Sequence, residues 1–364
     1  MIRTLPPAWL EDDISQLPAL HLLQQLGWTY LSPAEALALR DGREANVFLS
    51  GVLAQWIRDH HHIGYRGRQY AISEANVQAA IQALTDAPND TLVRASEAVY
   101  HHLRLGKSVD QVLETGATAN AQLHYLDWTG ADNTYHVTEE FSVTRAGLTD
   151  AYRPDLVLFV NGIPLAVIEC KREPSQLDEA VSQQLRNQKR DGIPHLYIPS
   201  QLLFALATSE AKFATTGSAK DYWAPWREVE SPDREITPLL TQRPPEERER
   251  AMLAERLPDH AGSVARYHHA VSHGREVTEQ DRLLWSLARP ARLLRMAQRY
   301  IAFDAGVKKV ARHQQVAAVE RAVARINTKD AKGRRQGGVI WHTQGSGKSL
   351  TMVYLAAALA EEMR

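Results

Sequence analysis

The sequence predicts an α/β fold, and three observations carry that prediction. Two short apolar runs rich in β-branched residues, Leu156–Val160 and Leu165–Ile168, flank Asn161-Gly162, a short-range hairpin signal. A polar stretch on a helical period, Leu177–Lys189, separates them from a third apolar run, Leu202–Thr208. Near the C-terminal end a glycine-rich loop stands between an apolar run and an apolar helix, a second strand-to-helix transition.

Composition bounds the rest. At 364 residues, two or three domains are expected, and 44% apolar with 23% charged residues is ordinary for a globular protein. The net charge of −1 means that any contact with a polyanion must come from local basic patches. Cys170 is the one cysteine, which excludes an internal disulfide and suits a reducing cytosol. Without a signal-peptide core or an apolar run of membrane-spanning length, a cytoplasmic location with no membrane contact is expected. The fifteen histidines include the adjacent runs 60–62, 101–102 and 268–269. Neighbours in sequence do not share a helix face, so solvated or capping roles are expected for them rather than zinc ligation.

Taken in order, residues 1–120 read as mostly helical. Ser15–Leu26 is amphipathic and stops at Gly27; Asn46–His60 repeats the pattern; Ser73 and Asp90 are candidate N-caps of two more helices, the second ending at Gly106. Thr134–Val143 alternates as a strand, and Arg145–Asp150 turns into the central hairpin. Residues 228–262, dense in Pro, Glu and Arg, suggest a linker or an extended surface crossing. Helices are expected from Thr278, again beyond Pro290, and over Lys309–Ile326. Lys329–Arg335 is a basic loop, and Gly337–Trp341 reads as a short buried strand.

The hairpin ends on charge. Asp155 opens its first strand; Glu169 and Lys171 close the second and share one face because side chains alternate. Two carboxylates beside an ammonium suit a hard divalent cation, with the lysine left to hold a water or a phosphate oxygen. For one cation to bridge both carboxylates, pairing must place Asp155 opposite Glu169. A two-residue loop would send them to opposite faces of the sheet. A three-residue loop, Asn161-Gly162-Ile163, is therefore expected; a bulge nearer the carboxylates, or a five-residue loop, shifts the parity equally well.

Pro154-Asp155 with Glu169-Cys170-Lys171 resembles the PD-(D/E)xK nuclease superfamily. The resemblance implies phosphodiester hydrolysis with Asp155, Glu169 and the Cys170 carbonyl holding Mg²⁺, and Lys171 orienting the attacking water. Many such nucleases carry Gln-x-x-x-Tyr after the lysine; here Gln183 stands in place and Asn187 follows four residues later. Gln183 is kept as a supporting catalytic residue. Some also add a helix-borne glutamate, which the sequence does not assign; Glu97 is a candidate only by its place on a predicted helix, where a surface role is the expected one. Arg172, Arg186, Lys189 and Arg190 are candidates for gripping a DNA backbone.

The second site is His342-Thr343-Gln344-Gly345-Ser346-Gly347-Lys348-Ser349. Strand, glycine loop, Lys-Ser and helix is the context of a P-loop. Backbone N–H groups at Gly345, Ser346 and Gly347 curl round phosphates, Lys348 reaches the β/γ phosphates of ATP, and Ser349 ligates Mg²⁺. Upstream, Arg312-His313-Gln314-Gln315 resembles the adenine-reading Q motif of superfamily 2 motors, with Gln315 as its reader.

A PD-(D/E)xK nuclease followed by a superfamily 2 motor resembles the R subunit of type I restriction–modification enzymes. Leu26–Tyr30, Gln183–Gln188 and Arg312–Ala318 look like that family too. The resemblance implies a restriction-endonuclease-like core with N-terminal helices over 1–225, a helical linking region over 226–305, and the first strand, P-loop and helix of a RecA-like lobe over 306–364. It further implies Mg²⁺-dependent cleavage of double-stranded DNA as a type I site-specific deoxyribonuclease. ATP-driven translocation and partner methyltransferase (M) and specificity (S) subunits belong to the complete enzyme. The chain is expected to carry the entrance to a motor rather than a whole one. Two alternatives stay open: a non-catalytic module docking DNA or partners, and a nucleotide-binding motor fragment without nuclease activity.

Overall fold

Six strands form one mixed sheet with the Asn161-Gly162 hairpin at its centre. In chain order and side by side they are β1 (Thr29–Leu31), β2 (Tyr135–Glu139), β3 (Leu156–Val160), β4 (Ile163–Cys170), β5 (Leu202–Ala207) and β6 (Glu210–Ala214). The computed structural model describes residues 15–86, 88, 90–257, 260–341, 344–345 and 347–362. β1 is parallel to β2 and β4 to β5, while β2–β3, β3–β4 and β5–β6 are antiparallel. One edge of the sheet therefore gathers the C-terminal ends of β1, β2, β4 and β5 with the N-terminal end of β3. β3, β4 and β5 are buried along their whole length, as continuous apolar runs require. The helix Leu177–Asn187 makes the crossover from β4 to β5 and packs on both.

The hairpin differs from the expected three-residue loop. Asn161 (φ 51°) and Gly162 (φ 80°) form a two-residue turn with both central residues left-handed, the type I′ geometry that matches strand twist. A side chain at 162 is also barred by close approach, since a Cβ there would lie 2.5 Å from the Leu49 carbonyl oxygen. The parity comes from a bulge instead. Ile163 opposes Val160 and Pro164 opposes Phe159; after Leu165 slips out of register, Ala166 opposes Leu158 and Ile168 opposes Leu156. Pro164 has no N–H to give the ladder, and proline inside a sheet sits at such breaks. Continued by one step, this register sets Asp155 opposite Glu169.

Other expectations need correcting. The first 120 residues are not mostly helical throughout: hairpins His62–Tyr65/Arg68–Ala71 and Lys107–Val112/Thr118–Leu123 interleave with the helices. Thr91, not Asp90, caps the helix Leu92–Leu105. Lys309 lies in a strand, Val307–Val310, paired with Ile301–Asp304, and the following helix is His313–Asn327. Residues 228–262 are not an extended crossing, because Asp233–Ile236 and Glu246–Ala254 are helical. They pack on the sheet through a buried ion pair, Arg256 to Glu139 at 2.6 Å. Gly337–Trp341 forms no strand; Val339 and Trp341 are each 90% exposed. An apolar run becomes a strand only where others pair with it, and no described strand does so here.

The helix Lys348–Glu362 packs against His313–Asn327 and is tied back by Glu361, which pairs with both Arg104 and Arg299 at 2.7 and 2.8 Å. The Ile301–Val310 hairpin is anchored by Lys308, whose fully buried Nζ donates to Ser96 Oγ (3.0 Å) and to the Ser200 carbonyl (2.8 Å).

Candidate active site

The bulged register brings the charged ends of β3 and β4 together at the sheet edge. Asp155 is nearly buried, and its Oδ2 accepts the Cys170 N–H at 2.6 Å, so the carboxylate is latched across the strands beside Glu169. Glu169 is fully buried. Its Oε1 accepts from Asn187 Nδ2 at 3.3 Å, while Oε2 has no hydrogen-bond partner among the described residues. Burial, and then the Asp155 carboxylate beside it, push the Glu169 carboxyl well above the usual range; Lys171 and Arg186 oppose this only in part.

Lys171 stands at the mouth, half-buried, with Nζ on the Cys170 carbonyl at 2.9 Å. It lines an open cleft of about 500 Å³ with Asp178, Gln183, Arg186 and Lys220. Gln183 thus faces the cleft that Lys171 enters, whereas its neighbour Gln184 is buried and clamps the helix to the sheet through the Val167 and Phe204 carbonyls, both at 3.2 Å. Among the candidate phosphate-gripping residues, Arg186 borders the cleft and stacks on Tyr152, while Lys189 and Arg190 are exposed in the turn just beyond the helix. Arg172, beside the lysine, leans toward Glu173 at 3.6 Å.

The donor set suits a hard cation. A buried, unpartnered carboxylate oxygen beside a second carboxylate is a cost unless something positive occupies the gap. No cluster of three or more His, Cys, Asp or Glu side chains is disposed for a metal among the described residues. A cation here could therefore use two carboxylates, the Cys170 carbonyl and water, a sparse set that Mg²⁺ accepts. A third carboxylate on the same edge, Glu139, is already neutralised: Arg256 donates at 2.6 and 2.9 Å and Tyr30 at 2.5 Å.

Two further residues adjoin the pair: Asn187, which the spacing from Gln183 puts at the motif tyrosine's position but which is not expected from sequence to serve the site, and Tyr197. The Tyr197 hydroxyl is fully buried beside Asn187 and the Glu169 carboxylate, though Tyr197 comes from a separate short helix, Pro194–Tyr197. Nothing in sequence spacing points to it. In the first histidine run, His60 and His61 return Nδ1 to the Trp56 and Ile57 carbonyls at the end of their helix.

At the second site Lys348 and Ser349 are exposed at the start of the last helix, and Gly345 and Gly347 precede them. Ser346 lies outside the described residues, as do His342 and Thr343. Gln315 spans the two motifs: Nε2 donates to the Gly347 carbonyl at 3.1 Å and Oε1 accepts from Arg312 N–H at 2.8 Å. Its amide ties the helix start to the glycine loop.

Comparison with known proteins matches two parts of the chain. The family model of the type I restriction enzyme R protein N terminus matches residues 9–222, and that of the SWI2/SNF2 ATPase matches 314–364. Over 96% of its length the chain is 27% identical to the type I restriction enzyme HindI endonuclease subunit of Haemophilus influenzae, of which it covers 30%. Over 95% it is 24% identical to a Methanocaldococcus jannaschii protein named for the type I restriction enzyme MjaIXP endonuclease subunit, of which it covers 31%. The chain spans under a third of the length of these relatives. No helix among the described residues is long and apolar enough to cross a membrane. With more than half of its residues matched by the one family model, the chain belongs to the type I restriction enzyme R protein N-terminal family.

Proposed function

We propose that this chain houses the cleavage centre of a type I restriction enzyme R subunit, a Mg²⁺-dependent endonuclease acting on double-stranded DNA. In the complete protein it would be coupled to an ATP-driven translocase and assembled with M and S subunits, which select the site. The observation that carries this is the fully buried Glu169 carboxylate, its Oε2 without a hydrogen-bond partner among the described residues, with the Asp155 carboxylate beside it across a bulged register.

Asp155, Glu169 and the Cys170 carbonyl would hold Mg²⁺. When bound, such an ion neutralises charge on the scissile phosphate and lowers the pKa of an attacking water. Lys171, with Nζ at the mouth, orients that water or offsets charge developing on the phosphate oxygens. Arg186 on the cleft wall and the exposed Lys189 and Arg190 hold the backbone without reading sequence. Lys348 and Ser349, exposed at a helix start, would meet nucleotide phosphates.

The test is Lys171→Ala in the R subunit assembled with its M and S partners. Cleavage of plasmid DNA is expected to vanish, while thermal unfolding and ATP hydrolysis stay as in wild type. Cleavage by the variant at the wild-type rate, or wild-type cleavage that persists in excess EDTA, contradicts the assignment.

A further inference from the structure

We propose that Asn187 and Tyr197 are positioning residues, holding the Glu169 carboxylate so that Oε2 is presented toward Asp155; this rests on the carboxylate pair being a cation site. Asn187 is 1% exposed and is the last residue of the helix Leu177–Asn187. Its Oδ1 accepts from Arg186 Nε and Nη2 at 3.4 and 3.3 Å, which assigns the amide orientation and leaves Nδ2 to face Glu169 Oε1. The helix cannot slide to relax this contact, because Gln184 is bonded to the carbonyls of both underlying strands. Gly192 closes the far side: its N–H donates to Lys189 O, and a Cβ at 192 would lie 2.5 Å from the Asn187 carbonyl oxygen.

Tyr197 adds the second support. Its ring is wholly buried, and its hydroxyl forms no well-made hydrogen bond with a described residue while lying beside Asn187 and Glu169. A buried hydroxyl in that state weakens the fold, and a phenylalanine would fill the same space without it. The hydroxyl has a use once Glu169 is committed to a cation: it can donate to the carboxylate and fix its plane. Groups that orient ligating carboxylates in this way commonly govern metal affinity.

Mn²⁺ is the probe, titrated into this chain and followed by the electron paramagnetic resonance signal of the free ion, alongside thermal unfolding in EDTA. Glu169→Gln is expected to abolish binding at the centre. Tyr197→Phe and Asn187→Ala are each expected to weaken it by about tenfold or more. Tyr197→Phe should do so with an unfolding midpoint equal to or above that of wild type. A merely structural tyrosine would give the opposite pairing, lower stability and unchanged affinity. If Tyr197→Phe and Asn187→Ala bind Mn²⁺ as wild type does while Glu169→Gln does not, the positioning role falls and the cation site stands. If Glu169→Gln binds as tightly as wild type, the cation site falls and the inference falls with it.

Discussion

Glu169→Gln should make the metal-free protein more stable while removing its function. In the wild type two carboxylates meet at the bulged sheet edge, Oε2 of Glu169 has no donor, and Oε1 accepts from Asn187. A glutamine of the same shape keeps the acceptor for Asn187 and replaces Oε2 by an NH₂ beside the Asp155 carboxylate, a donor where the ionised glutamate has none. Satisfying one buried group is worth about 1–3 kcal/mol, or roughly 2 to 10 °C in unfolding midpoint for a domain of this size. The pH dependence has a defined sign. Burial and Asp155 raise the Glu169 carboxyl above its ordinary 4.5, so above that pH the folded state retains a proton that the unfolded chain releases. Wild-type stability therefore declines as pH rises until the folded group ionises, while glutamine does not titrate. The gain is smallest in acid and grows to a plateau in alkali. Calorimetry in EDTA across this range measures it, and adding Mg²⁺ should raise the wild-type midpoint but not the variant's. A variant less stable than wild type at the alkaline end refutes the reasoning.

Three further outcomes follow from other contacts. Lys308 has its pKa lowered by burial, so on falling pH the unfolded chain takes up a proton that the folded one resists. Lys308→Met should flatten the loss of stability on acidification, read as urea midpoints at several pH values; parallel profiles would count against it. Gly192→Ala places a Cβ 2.5 Å from the Asn187 carbonyl oxygen and should cost about 1–3 kcal/mol in chemical unfolding, whereas an unchanged midpoint means the segment yields freely. Because no described strand backs the Gly345–Ser349 loop and Trp341 is exposed, this chain should bind MgATP weakly and turn it over negligibly. Sub-micromolar binding in a calorimetric titration would contradict that.

The central hairpin was legible because local rules and burial agree there: β-branched runs, Asn-Gly between them, charge at the ends. Its exact register was half-legible. Parity demands a shift, but its place is not local information: the shift falls between Pro164 and Ala166 rather than in the loop, next to a proline that cannot donate to a ladder. Asn187 and Tyr197 were invisible as a pair because their meeting depends on how a helix end and a separate four-residue helix pack over β4. The stretch 228–262 misled because its helices are short and weakly amphipathic, and what holds them, Arg256 on Glu139, spans 117 positions. Gly337–Trp341 misled for a converse reason: apolar sequence proposes a strand, and only pairing makes one.

The most direct test of the central claim is anomalous diffraction from crystals of this chain equilibrated with Mn²⁺. A single strong peak is expected between the Asp155 and Glu169 carboxylates, within ligand distance of both and of the Cys170 carbonyl, and absent in Glu169→Gln. An ordered Mn²⁺ elsewhere with none at this pair, or the same peak surviving in Glu169→Gln, contradicts it.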